Sequence, residues 1–197
     1  MNGNRPSIMP YKYRHDTTTN RIKMDAIESF GTYFDQSAVK SKLLNWLENF
    51  VEKPNLGFDN WPVCPFARQA RVNNKIAIVF CDSTEWIACA KTNLKELDNN
   101  EALVLCFDHT RIDPLTFPDA VKNLNYELMP NNFVALEDHP FITESVNGVP
   151  MNFGHCALLV VQHLDRLNLA ADQLLAKGYY NHWTKDEVSN IVDWRSR

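Results

Sequence analysis

Three short apolar segments, each running directly into carboxylate or imidazole residues, constrain this chain more than any other feature. Lys75-Ile-Ala-Ile-Val-Phe-Cys81 leads into Asp82, Glu101-Ala-Leu-Val-Leu-Cys-Phe107 into Asp108 and His109, and Phe133-Val-Ala-Leu136 into Glu137, Asp138 and His139. Stretches with helical spacing separate them, so the pattern predicts β-α-β-α-β order. A parallel arrangement brings the three polar ends to one edge, where open α/β sheets gather their ligands. The expected fold class is therefore α/β (or α+β), with a single sheet of about four strands and helices packed on it.

The flanking stretches read as follows. Residues 1–34 are polar, with Pro6, Pro10 and the run Thr17-Thr-Thr-Asn20, and predict an extended N-terminal arm that leaves 35–197 as one domain. Tyr11, Tyr13, Phe30, Tyr33 and Phe34 could pin that arm to its own domain or to a second subunit of a homo-oligomer. Asp35 can cap a helix carrying Val39, Leu43, Trp46, Leu47, Phe50 and Val51 on one face. Asp82 and Glu85 resemble a capping box for a helix with Trp86, Ala90, Leu94 and Leu97, and Thr116 can cap another with Val121, Leu124 and Leu128 inward. Residues 140–154, punctuated by Pro140, Gly148, Pro150 and Gly154, read as a loop over a pocket. Periodicity leaves residues 155–161 open between a fourth strand and the first turns of a long helix ending at Lys177-Gly178. Thr184 and Glu187 form a capping box for a last short helix.

Charge and composition exclude several classes. A net charge of −4 with no basic block speaks against nucleic acid as a partner, because phosphate binding needs clustered Lys and Arg. No apolar run reaches membrane-spanning length, and the N-terminus lacks a signal-peptide core, so a cytoplasmic protein without membrane contact is expected. The five cysteines include no Cys-x-x-Cys pair; Cys81, Cys89 and Cys106 lie in apolar runs, where cysteine packs as a small hydrophobe. The glycine-rich phosphate loop, the Gly-x-Ser-x-Gly elbow and His-Glu-x-x-His are all missing from the sequence.

Three sets of residues have the chemistry for a site. Two imidazoles and a carboxylate can hold non-haem iron, which makes His109, His139 and Asp82 candidate metal ligands; the competing roles are a helix cap for Asp82 and a turn start for Asp108. Cys64, in Val63-Cys-Pro-Phe66, is a nucleophile only if a cation or imidazole lowers its pKa. His155 and His163, eight residues apart with Cys156 and an apolar run between them, could face a flat apolar cofactor and ligate haem, with His139 as a third candidate. The competing role for each is a hydrogen-bonded core histidine.

The segment Trp61-Pro-Val-Cys-Pro-Phe-Ala-Arg68, followed in order by strand, helix, strand, His139-Pro-Phe141 and Gly148-Val-Pro-Met151, resembles bacterial proteins built around a Cys-Pro-Phe-Ala motif. It is similar more remotely to the YqcI/YcgG-type family, over roughly residues 45–177. Cys64, Phe66 and Ala67 match that family's first motif and Gly148, Pro150 and Met151 its later one, with Val63 in place of Pro and Val149 in place of Glu. Members of the family include haem-dependent enzymes that hydroxylate amino or guanidino nitrogens. The resemblance thus implies an oxidoreductase that acts on an amino acid or related amine; it transfers no cofactor ligand, so the three histidines stand on the residue argument alone.

The leading expectation is a small haem- or iron-dependent N-oxygenase in which Asp108, Asp138 or Glu137 binds the substrate's ammonium or guanidinium. A second is a non-catalytic interaction protein docking through its aromatic N-terminal arm and the segment from Trp183 to Trp194. A third is a cofactor-free enzyme using Cys64.

Overall fold

β8 (Ala157–His163) pairs on both sides, and it organises the sheet. In the computed structural model, which describes residues 34–196, the four main strands run in the order β3 (Ile76–Phe80), β4 (Ala102–Phe107), β8, β5 (Phe133–Asp138). β3 and β4 are parallel, whereas β8 is antiparallel to both β4 and β5. The expected mixed α/β architecture is present. A fully parallel sheet is not, because the apolar run after residue 155 is a strand and enters between the second and third strands of the β-α-β-α-β series. β4 and β5 nevertheless point the same way, since two strands antiparallel to one neighbour are parallel to each other.

Helices cover both faces of the sheet. Odd-numbered residues of the strands, among them Leu103, Leu105, Phe107, Leu159 and Val161, pack under α3 (Trp86–Asn93) and α4 (Phe117–Leu128) through Ala90, Phe117, Val121 and Leu124. Even-numbered residues Val104, Cys106 and Leu158 face α1 (Gln36–Trp46) and its continuation through Val39, Leu43, Leu47 and Val51. The alternation follows from the two-residue period of a strand, and each fully buried Leu, Val or Phe contributes roughly 1.5–3 kcal/mol. A third cluster joins Phe58, Val146, Leu174 and Tyr179. It includes α5 (Leu164–Ala176) and two small antiparallel pairs, β1 (Pro54–Asn55) with β2 (Trp61–Pro62) and β6 (Ser145–Val146) with β7 (Val149–Pro150).

Local capping agrees with the sequence at both ends of this region. The Asp35 carboxylate accepts from Ala38 N–H at 3.0 Å, and Thr184 and Glu187 close a complete capping box on α6 (Lys185–Ile191). Two expected caps differ. Asp82 starts a 3₁₀ turn, Ser83–Glu85, and Glu85 makes no return bond, so no capping box forms there. The Thr116 hydroxyl donates to Asp113 instead of capping α4. Residues 140–154 are no simple loop: Asn147 and Gly148, both at positive φ, turn the β6–β7 hairpin, which packs by Val146 and Val149. A Cβ on Gly57 would collide with Val149 Cγ2, which fixes glycine at that crossing. The N-terminal arm expected over 1–34 lies, apart from Phe34, outside the described residues. No helix among them is long and apolar enough to cross a membrane.

Among the described residues β5 pairs with a strand on one side only, and a single side chain closes part of the other. Asn125, buried on α4, accepts from Ala135 N–H and donates to Ala135 C=O, both at 2.8 Å. Replacing Asn125 with Leu leaves both peptide groups unpaired, each at about 1–3 kcal/mol. Urea denaturation of Asn125→Leu is therefore expected to show a loss of roughly 2–4 kcal/mol, and an unchanged midpoint would refute the clamp.

Candidate functional site

The register lines up the strand ends. Phe80 lies beside Cys106, Phe107 beside Ala157 and Asp138 beside Leu158, so residues 81–82, 108–109 and 137–139 share one edge with the start of β8. The convergence expected from the sequence is present, but most of its polar side chains are committed to the backbone. The Asp82 carboxylate accepts from Thr84 N–H and Thr84 hydroxyl, both at 3.0 Å, and these bonds hold its pKa below the usual value. The Asp108 carboxylate accepts from Thr110 N–H and the Thr110 hydroxyl, at 3.1 and 2.7 Å. Each aspartate opens a short 3₁₀ turn, and Arg111 from the second reaches to 3.9 Å of Asp82 in the first.

His139 is fully buried with both ring nitrogens occupied. Phe141 N–H donates to Nδ1 at 3.2 Å, which assigns the proton to Nε2, and Nε2–H donates to His109 C=O at 3.3 Å. Burial pushes its pKa down, in keeping with a neutral ring. The His109 ring stands 6.1 Å from it, centroid to centroid, against Phe141; burial lowers its pKa first, helped by His139, and its Nδ1 is buried with no partner. Asp82 is thus bonded within its own turn and His139 to backbone groups. Among the described residues no group of three His, Cys, Asp or Glu is placed to hold a metal ion.

Three carboxyls occupy the end of β5 and the segment that follows it. Asp138 is tied on both oxygens, accepting from Asn152 Nδ2 at 2.7 Å and Phe153 N–H at 2.9 Å; burial still outweighs these bonds and raises its pKa. Asn152 is the organiser of the segment, since its Oδ1 also accepts from Glu144 N–H at 3.0 Å. Glu137 and Glu144 differ from Asp138: the Glu137 carboxyl is bonded only to its own N–H, and Glu144 makes no side-chain hydrogen bond or ion pair among the described residues. Burial drives Glu137 up to about 7. Glu144 rises to about 8, by burial first and then by the charges of Glu137 and Asp138. Two electrostatically coupled carboxyls with pKa values near neutrality can exchange protons at physiological pH and can each accept a hydrogen bond from a cation.

The other candidates lie apart. Cys64 is held by Phe66 and Ala67 N–H, but burial, its largest influence, raises the thiol pKa and opposes a nucleophilic role. Cys81 and Cys89 form a disulfide between β3's end and α3, which corrects the expectation that both pack as free thiols. Cys106 and Cys156 are buried and hydrogen-bonded to each other, and their interaction raises the Cys156 pKa. His155 precedes β8 and His163 is its last residue, and the strand between them, Ala157–His163, by itself spans roughly 20 Å at about 3.3 Å per residue, so they serve no common cofactor. His163 shares a 3.2 Å hydrogen bond with Leu97 C=O and packs on Phe133; His155 stacks edge-on to Phe153 and makes no such bond. The Trp183 ring proposed from sequence as a docking anchor is packed on Phe58, Tyr179 and Tyr180.

Glu144 and Asn152 escape a reading of the sequence because they sit in an aperiodic segment, and their position depends on where β8 enters the sheet. The raised pKa values have a sign for stability. The native state binds more protons than the unfolded chain between pH about 4.5 and 8, so stability falls as pH rises through that window. Each shift corresponds to a few kcal/mol at most. Glu137→Gln and Glu144→Gln are expected to match the parent at pH 5 and exceed it at pH 8.5, read as urea midpoints; parallel pH profiles would refute the assignment.

No protein-family model matches this chain, and neither any curated protein nor any solved structure matches it.

Proposed function

We propose that this protein is a small-molecule enzyme that binds an organic cation, an ammonium or guanidinium, between Glu137 and Glu144. The observation that carries this reading is the repulsion of partly buried Glu144 by the charges of Glu137 and Asp138, with no cation from the described residues in an ion pair with any of the three. A bound cation removes that repulsion and favours the ionised form of both groups, so substrate binding expels protons and leaves a carboxylate ready to take a proton from the substrate nitrogen. Asn152 and Asp138 hold the segment that positions Glu144, and His139 fixes the turn beside it. Asp108 and Asp138, expected from sequence to bind the cation, act in this reading as supports.

N-oxygenation of the bound amine is the specific activity favoured by the resemblance to the YqcI/YcgG-type family. Haem would supply oxygen activation. Of the three candidate ligands, His155 fits, because its ring makes no hydrogen bond to the described residues and stands at the same sheet edge as Glu137; His139 has both nitrogens engaged and His163 lies at the other edge. In protein reconstituted with haem, His155→Ala is expected to abolish the Soret band and His163→Ala to preserve it. A band that survives His155→Ala would remove this ligand.

Cation binding is tested independently of any cofactor. Titration calorimetry of methylguanidine in buffers of different ionisation enthalpy is expected to show proton release at pH 7 and affinity that rises from pH 6 to 8.5. Neutral methylurea should not bind, and Glu144→Gln should weaken methylguanidine roughly tenfold. Binding without proton release, or equal binding of both probes, would refute the site.

A further inference from the structure

The Cys-Pro-Phe-Ala-Arg stretch has no part in the strand-end site, yet it builds one wall of a second concavity. α1 does not end in a regular turn. It widens into a π-helical turn, Leu47–Val51, a form that occurs in short pieces and often at functional sites. The motif docks directly on this turn, with Cys64 N–H donating to Val51 C=O at 3.1 Å. The chain then enters α2 (Ala67–Val72), which carries Arg68 and Arg71.

Arg71 is locked in place. Its Nε and Nη2 donate to the two oxygens of Glu52 at 2.6 and 2.9 Å, and Nη2 lies 3.5 Å from Glu48. The Glu52 side chain is only 3 % exposed, so this is a built, largely desolvated fork and not a solvated surface pair. The fork occupies one edge of the guanidinium and leaves Nη1 without a partner among the described residues. Beside it, Lys53 and Arg68 make no ion pair or side-chain hydrogen bond to the described residues. These groups line a groove of about 490 Å³, with Pro54 and the 62 % exposed Val72 as its apolar wall. That volume is within the range of small-ligand sites. Three cations stand against two carboxylates, one of which, Glu52, is bound to the fixed guanidinium.

We propose that this groove binds a small organic anion, with its carboxylate or phosphate between Arg68, Lys53 and Arg71 Nη1 and its apolar part on Val72 and Pro54. Recognition is by charge and by one flat apolar contact. The site shares no residue with the Glu137–Glu144 pair and does not depend on the function assigned there.

Fluorine NMR titration with 4-fluorobenzoate and 4-fluorophenyl phosphate tests it, with 4-fluorobenzamide as the uncharged control. Saturable binding of at least one anion is expected, and the tighter of the two identifies the headgroup. Arg68→Ala and Lys53→Ala, both exposed and outside the core, should each weaken binding roughly tenfold, and the double variant should abolish it. Glu137→Gln should leave it unchanged. No saturation at millimolar concentration, undiminished binding by the folded double variant, or equal binding of the amide would overturn the proposal.

Discussion

The two-sided antiparallel pairing of β8 is the constraint on which the rest of the molecule depends. It forces β4 and β5 into the same direction and so puts Asp108, His109 and Glu137 to His139 on one edge. It has a second effect. β5 ends and β8 begins at that same edge, so the connecting residues 139–156 must be spent there and cannot cross to the other side. Glu144 and Asn152 are near Glu137 and Asp138 for a topological reason before any chemical one. The hairpin within the segment, anchored by Val146 and Val149, takes up the excess length.

The chain handles buried acid in two different ways. Glu52 is almost wholly covered, and it has a guanidinium fork that replaces the hydration it loses. Glu137 and Glu144 have no such compensation, and burial instead moves the proton equilibrium toward the neutral form. The first arrangement fixes geometry at the end of α1. The second stores responsiveness to charge, because whatever supplies a positive group changes both protonation and electrostatics at once. That contrast, within one domain, is the basis for separating a structural acid from the acids assigned to substrate.

Much of this was legible from residue order, and the failures are instructive. Asp35, Thr184 and Glu187 act as written because capping is local, requiring only a side chain and the next few peptide groups. Asp108 reads as a turn start for the same reason, whereas Asp82, which reads as the cap of a helical capping box, opens a 3₁₀ turn instead. His139 was ambiguous because its two partners, Phe141 N–H and His109 C=O, are backbone groups that carry no residue signature. The apolar run of β8 gives neither its direction nor its place between β4 and β5, since hydrophobicity alone carries no vector. Everything that depends on that insertion, Glu144 above all, was therefore hidden. The Cys81–Cys89 bridge likewise follows from the packing of α3 against β3 and not from spacing.

Asn125 has a consequence beyond its contribution to α4. Its primary amide presents to Ala135 the same donor and acceptor that a residue of an adjoining strand would present. One position along the side of β5 that pairs with no strand among the described residues is thus occupied by an imitation of a neighbour. A strand from another molecule approaching β5 must evict a buried side chain before it can propagate a ladder, and that obstacle favours discrete particles over open-ended association in a crowded solution.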